Sequence, residues 1–324
     1  MPRSDSGKPA GRRALLRGTV LATAAVSSGA LAPVASAAAD DRGGPGGSPG
    51  PVPLPEQHPA VEDFLEVPGG RLWYWDTGGE GPAVILSHPG TGSAEAWPHQ
   101  QPALAAAGYR VIAYSRRGHY RSSDATAEDP PAAEDLLMLA DHLKVPRFHL
   151  VGAAAGGFVA TDFALSHPRR LHSLALVNSQ MGIDEPDFQA TLTRLRPPEF
   201  TALPHAFKEL GPSYRAVDPE GVHAWEAIAE RSLAGRSIPR PKLANRITWD
   251  RLETMRVRTL LTAGDADLYM PPPMAKEVLE HLPHAGSLTF SEVGHAPHWE
   301  RPGAFNSRLL QFLAGARFPA GTRC

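Results

Sequence analysis

Residues 152–157 read Gly-Ala-Ala-Ala-Gly-Gly, between an apolar run at 148–151 and a helix start rich in small residues. This is the frame of a nucleophile elbow, G-x-S-x-G, in which a strained strand-to-helix turn lifts the central side chain above a parallel sheet. The glycines of such a frame let the neighbouring strand and helix approach closely. Here the central residue is Ala154, which has no oxygen, thiol or carboxylate with which to attack an electrophile. Chemistry around it must run without a covalent intermediate at this position.

Three further segments each follow an apolar run and carry groups suited to moving a proton or holding an oxyanion. His88-Pro89-Gly90-Thr91-Gly92 follows residues 83–87, Gly264-Asp265-Ala266-Asp267 follows 259–263, and Gly294-His295-Ala296-Pro297-His298-Trp299-Glu300-Arg301-Pro302 follows 287–293. An imidazole titrates near neutral pH, and a neighbouring carboxylate fixes its tautomer and stabilises its charged form. His295, paired with an acid from the 264–267 loop, can therefore transfer protons. No metal or other cofactor is expected. The 14 histidines are scattered without an H-E-x-x-H or helical i, i+4 layout, and the single cysteine, Cys324, excludes a disulfide framework or a cysteine metal site.

Elements that position these residues follow from the apolar pattern. Residues 83–87, 109–115, 148–151, 173–177, 259–263 and 287–293 read as buried strands. Between them, 94–107, 131–143, 155–166, 272–282 and 303–313 read as helices, and Gly69-Gly70 centres a leading hairpin over 66–75. Such alternation predicts an α/β fold, a mostly parallel, doubly wound sheet with helices on both faces. It breaks at 183–245, where two Pro-interrupted helical pieces and no strand are expected. That stretch reads as a helical cap over the strand C-termini, where open α/β sheets bind ligands. The core then comprises 59–182 and 246–316.

With these segments in order, the chain resembles the α/β-hydrolase fold superfamily over nearly all its length after the N-terminal region. Ser115-Arg116-Arg117-Gly118-His119-Tyr120-Arg121-Ser122 adds to the resemblance: it is similar to the D-x-R-G-x-G-x-S segment of these enzymes, with Ser115 and Tyr120 in place of Asp and Gly. The family order of nucleophile, acid and histidine falls on Ala154, Asp267 and His295. The resemblance implies Asp267 as the acid, three residues after the glycine, and leaves Asp265 as a turn residue. It also implies an oxyanion hole built from the backbone N–H of Ala155 and one from Gly90 or Thr91. Trp97, Tyr269 and Met270 follow site-forming loops and are expected to bind substrate, ordinary packing being the alternative. Phe188, Phe200 and Trp225 are apolar pocket candidates. His88, His119 and Glu300 are expected to be structural, His298 a wall residue, and Ser179 a loop serine without an elbow.

The N-terminus has a separate task. Arg12-Arg13-Ala14-Leu15-Leu16-Arg17, a mild apolar stretch at 18–33 and Ala35-Ser36-Ala37 follow the layout of a twin-arginine-type signal peptide over residues 1–37. The apolar stretch is broken by Gly18, Gly29 and Pro33, too weak for a stable membrane span. A Gly/Pro-rich linker, 38–58, follows, and the remainder is expected to be secreted, without stable membrane association. Residues 1–37 carry Arg3, Lys8, Arg12, Arg13 and Arg17 against Asp5, so removing their +4 from the formal −2 leaves −6. A negative surface disfavours nucleic acid as a partner. At 42% hydrophobic over 324 residues, the chain can bury one sizeable core.

Loss of the nucleophile costs a hydrolase of this kind about a million-fold in turnover. Three readings remain. The first is an enzyme using the His295–Asp267 dyad and the oxyanion hole to activate water, or to take a proton from the substrate. The resemblance allows this, since some cofactor-independent lyases and oxygenases of the fold rely on that pair. Its substrate would be a small, mostly apolar ester, lactone or carbonyl compound. The second is a ligand-binding homologue without activity, and the third a Ser-to-Ala form of a serine esterase. Retention of both His295 and Asp267 favours the enzyme.

Overall fold

The computed structural model describes residues 51–324, so the signal-peptide reading of 1–37 and the first part of the linker lie outside the described residues. The described residues all belong to one compact unit, Ala38–Cys324. Nine strands form one sheet: β1 (Val61–Val67), β2 (Gly70–Asp76), β3 (Ala83–Ser87), β4 (Arg110–Tyr114), β5 (Phe148–Ala153), β6 (Leu171–Val177), β7 (Thr259–Gly264), β8 (Ala285–Phe290) and β9 (Thr322–Arg323). Their order is β1-β2-β4-β3-β5-β6-β7-β8-β9. The hairpin β1–β2 is antiparallel, β2 joins β4 antiparallel, and every pairing from β4 to β9 is parallel.

Eleven α-helices accompany them among the described residues: α1 (Gln100–Ala106), α2 (Ala132–His142), α3 (Ala155–Ser166), α4 (Pro186–Leu195), α5 (His205–Glu209), α6 (Pro212–Val217), α7 (Pro219–Leu233), α8 (Trp249–Glu253), α9 (Pro272–Glu280), α10 (Pro297–Glu300) and α11 (Pro302–Leu313). Strand periodicity sorts the core into two layers. Ile85, Ile112, Leu150 and Leu261 pack with α2, α3 and α9, while Val84, Val111, Val151 and Leu260 pack with α1 and α11. Successive side chains leave opposite faces, so strands apolar throughout require helices on both sides.

The structure departs from the sequence reading in several places: the hairpin read over 66–75 begins at Val61, and α8 and α10 lie outside the expected helices. Residues 94–107 form a short 3₁₀ turn and then α1, because Pro98 keeps Trp97 out of the helical region (φ −119, ψ 34). Residues 183–245 hold four α-helices rather than two, since Pro186, Pro212 and Pro219 each open a new helix instead of interrupting one. The eighth strand spans Ala285–Phe290 rather than 287–293, and the chain turns at Glu292 with φ 59. Finally, β9 lies beyond the expected core end at 316.

Helices α5 to α7 share a small core with the residues after β8: Leu210, Tyr214, Trp225 and Ile228 pack with Ala296 and Trp299. No described helix is long and apolar enough to cross a membrane.

Helix α3 leaves β5 so close to the sheet that a Cβ on Gly156 would lie 2.1 Å from the carbonyl oxygen of Ser87 on β3. On Gly152 it would meet the Gly156 oxygen at 2.6 Å. Both obstacles are backbone and cannot swing aside. Gly156→Ala is therefore expected to lose at least about 1–3 kcal/mol of unfolding free energy, read as a lower denaturant midpoint. An unchanged midpoint would show that α3 can move off β3.

Candidate active site

The elbow keeps its strained backbone without its nucleophile. Ala154, between β5 and α3, has φ 48 and ψ −115, a conformation non-glycine residues rarely adopt. Its N–H donates to the Val177 carbonyl at 2.9 Å. Its carbonyl accepts the Ser179 hydroxyl at 2.6 Å, and the same hydroxyl accepts the Met181 N–H at 2.9 Å. Ser179 is thus a brace for the turn, fully buried.

Asp267, just beyond β7, is buried and held by four groups. Its Oδ1 accepts the N–H groups of Tyr269 (2.8 Å) and Met270 (3.0 Å). Its Oδ2 accepts the Asn178 amide at 3.1 Å. His295 Nδ1 lies 2.8 Å from Oδ2 and 3.0 Å from Oδ1, so the ring donates through Nδ1 and Nε2 is left for proton exchange. Asn178 is itself fixed, donating to the Gly294 carbonyl (2.9 Å) and accepting the Thr262 hydroxyl (3.0 Å). Tyr269 lays its ring on His295, with centroids 4.6 Å apart. Burial by itself pulls the His295 pKa down; the Asp267 charge, its hydrogen bond and the Glu209 and Glu300 charges outweigh it, and the net direction is upward.

The loop after β3 is held from behind. Arg116 donates to the carbonyls of His88 and, at 3.2 Å, Pro89, and His119 Nε2 lies 2.9 Å from the Gly90 carbonyl. In a trans peptide the following N–H points the opposite way. The N–H groups of Gly90 and Thr91 therefore face away from Arg116 and His119. A Cβ on Gly90 would lie 3.5 Å from that of Ala155, which sets this loop beside the start of α3. Burial pushes His119 down to about 4 and His88 well below the ordinary histidine value, so both rings are neutral spacers at pH 7. Tyr120, where the family segment has Gly, takes a positive φ of 49 and packs edge-on against Trp73 at 4.7 Å.

The other expected residues divide. Tyr269 reaches the dyad by its ring, and Met270 only by its N–H, its side chain lying in the main core. Trp97 is packed in the α1-side core and against His298 at 4.8 Å, not against the dyad. Phe188 is also core, edge-on to Trp249 at 5.3 Å, whereas Phe200 meets Tyr269 at 4.9 Å. Asp265 braces a loop by accepting the Glu292 N–H at 2.6 Å. Glu300 accepts N–H groups from Gly211, Gly294 and Ala296 and is pushed by burial up to about 7. Sequence reasoning missed Asn178 and Glu209. Asn178 directly follows β6 and had a usable signal, a polar residue directly after a run of apolar ones. Glu209, at the end of α5, had none: its carboxylate accepts the Thr91 hydroxyl (3.0 Å) and the Trp225 indole N–H (2.8 Å).

Residues 82–214 match the family model described as alpha/beta hydrolase fold. RutD of Caulobacter sp. (strain K31), named as a carbamate hydrolase, is 32% identical over 72% of this chain and 90% of its own length. The chain belongs to the α/β-hydrolase fold family. A 2-hydroxy-6-oxo-6-phenylhexa-2,4-dienoate hydrolase of Comamonas testosteroni is 29% identical over 75% of this chain and 91% of its own. Among solved structures, Est816, described as an N-acyl homoserine lactone degrading enzyme, superposes with a TM-score of 0.63 at 26% identity, covering 77% of this chain and all of that one. Both sequence relatives are named as small-molecule hydrolases, and the nine-stranded sheet here is that of an α/β-hydrolase.

If the elbow lacks only its side chain, Ala154→Ser should be labelled once by a fluorophosphonate, read by intact mass, while the native chain stays unlabelled. Adding His295→Ala should slow labelling by about 10²–10⁴-fold, the worth of a positioned general base. A silent Ala154→Ser variant would show that the turn no longer aims at the dyad.

Proposed function

We propose that this protein is a hydrolase of small, mostly apolar acyl compounds (esters, lactones or carbamates) that activates water directly through His295 and Asp267. The observation that carries this reading is the intact dyad. Asp267 is buried, bonded to His295 at 2.8 Å and oriented by Asn178, Tyr269 and Met270, beside an elbow that retains its strained turn. Alanine at 154 takes up less room beside that turn than a serine would. Relatives named for carbamate, dienoate and acyl-lactone substrates support the substrate class.

In this mechanism His295 Nε2 takes a proton from water as its oxygen bonds to the acyl carbon. The negative charge moves to the carbonyl oxygen, where the N–H groups of Ala155 and of Gly90 or Thr91 receive it. Collapse breaks the bond to the leaving group, which takes the proton back from His295. Asp267 stays ionised and stabilises the imidazolium throughout. The same pair could instead take a proton from a carbon or hydroxyl of the substrate; silence towards acyl compounds would direct attention there. Export by the twin-arginine route is part of the proposal and rests on residues 12–37 alone.

The test is turnover of a panel of short-chain nitrophenyl esters, lactones and carbamates by the native chain and His295→Ala. The variant should lose about 10²–10⁴-fold in kcat/KM. Water activation needs the neutral imidazole, whose pKa is raised, so activity should fall as pH drops through a midpoint above the ordinary histidine value of 6.5. Equal activity in the two proteins would remove His295 from the hydrolysis, and none in either would remove the hydrolase reading, leaving proton abstraction from another substrate or a ligand-binding role.

A further inference from the structure

Glu209 reaches the dyad from outside the sheet. It is the last residue of α5, 6% exposed, and it touches both loops that form the site. Its main-chain carbonyl accepts the His295 N–H at 2.7 Å. Its carboxylate accepts the Thr91 hydroxyl at 3.0 and 3.1 Å and the Trp225 indole N–H at 2.8 Å. Both side-chain donors are neutral. Among the described residues, no lysine or arginine pairs with it, and the basic side chain recorded beside it is His205, 4.0 Å away and 45% exposed. Lys208 next to it turns instead to the Phe200 ring, 5.6 Å away. A buried carboxylate so placed must either keep a proton or find a positive charge.

We propose that Glu209 is a positioning residue of this site: its carboxylate, carried in by the cap, holds His295 in the protonated form. The inference rests on the dyad reading above but is read on the ring itself rather than on turnover. Groups facing His295 are Asp267 after β7, the Tyr269 ring, Glu209 from α5, and Glu300 and His298 from α10. Neither ring nitrogen of His298 has a hydrogen-bond partner among the described residues, and burial pushes the ring down to about 3, so it carries no charge. Glu300 is tied up by three backbone N–H groups. Asp267 is committed to His295, Asn178 and two backbone N–H groups, which leaves Glu209 as the adjustable member. Facing Glu209 are Thr91, Trp225, His205, His295 and Tyr269. Burial raises the Glu209 pKa, and the Trp225 bond, the His295 charge, the Thr91 bond and the His205 charge pull it back. Proton affinity in this site is therefore shared between an acid and a base on different parts of the fold. While Glu209 is ionised, the dyad rests as a proton donor. Neutralising Glu209 or moving it away lowers the pH at which the ring becomes a base.

The experiment is an NMR titration of the full chain carrying ¹³Cε1-labelled histidine, with His295→Ala for assignment. Glu209→Gln keeps the shape and removes the charge; it should lower the His295 midpoint by about one pH unit. Glu209→Asp keeps the charge and should titrate near the native midpoint. A native midpoint in a folded Glu209→Gln protein overturns the proposal. Should that variant fail to fold, the native chain labelled at the glutamate carboxyls decides. Glu209 and His295 must then report the same pair of midpoints, and independent single steps overturn coupling. If the midpoint moves while the acyl panel stays silent, the proposal stands and the hydrolase reading falls.

Discussion

A buried carboxylate needs hydrogen-bond partners for its oxygens, and Asp267 finds them in groups from three parts of the chain. Two backbone N–H groups come from its own loop, an amide from the end of β6, and an imidazole from the loop after β8. Each of these stands where it does because neighbouring parallel strands end at the same edge of the sheet. Asn178 in turn reaches Thr262 on β7 and Gly294 beyond β8, so the acid, its brace and the base are cross-linked to one another. Moving any one of these strands by a residue would leave a charge underground without partners, which costs far more than a lost surface contact.

The cap belongs to this network. Gly211 donates to Glu300, the Glu209 carbonyl receives the His295 N–H, and Trp225 shares a small core with Trp299. Cap residues 209–211 and the histidine loop therefore behave as one packed piece, although 84 positions separate Gly211 from His295 in the chain. A displacement of α5 that broke this packing would carry the Glu209 carboxylate away from the imidazole, so access and proton affinity would change together. Arg116 works at the opposite wall: a buried guanidinium tied to two loop carbonyls, it fixes which way the peptide units of the loop after β3 point.

What the sequence displays is what repeats or what is forced. Strands buried on both faces, such as residues 83–87, read clearly because both layers need apolar side chains, and the glycine frame at 152–157 marks the close approach of α3. His295, Asp267 and Ala154 follow from those elements because each sits in the segment that leaves the end of a strand. The cap read poorly, since proline can begin a short helix or break a long one, and the residue type alone does not say which. Trp97 illustrates the converse: a large aromatic after a site loop resembles a pocket wall, yet the same surface is worth more in the core, where this one lies. Glu209 escaped because its meaning comes entirely from what it meets, residues 118 positions before it and 16 after.

The turn at Ala154 is held by the Val177 carbonyl, the Ser179 hydroxyl and the approach of α3 to β3, none of which involves the side chain at the apex. Its geometry is thus heritable independently of its chemistry. An alanine codon becomes a serine codon by one base change, and the contacts that hold the turn are made by backbone groups of Ala154 that the exchange leaves in place. A protein of this kind and a covalent serine hydrolase are therefore adjacent in sequence space, and a gene can cross between them without passing through an unfolded intermediate.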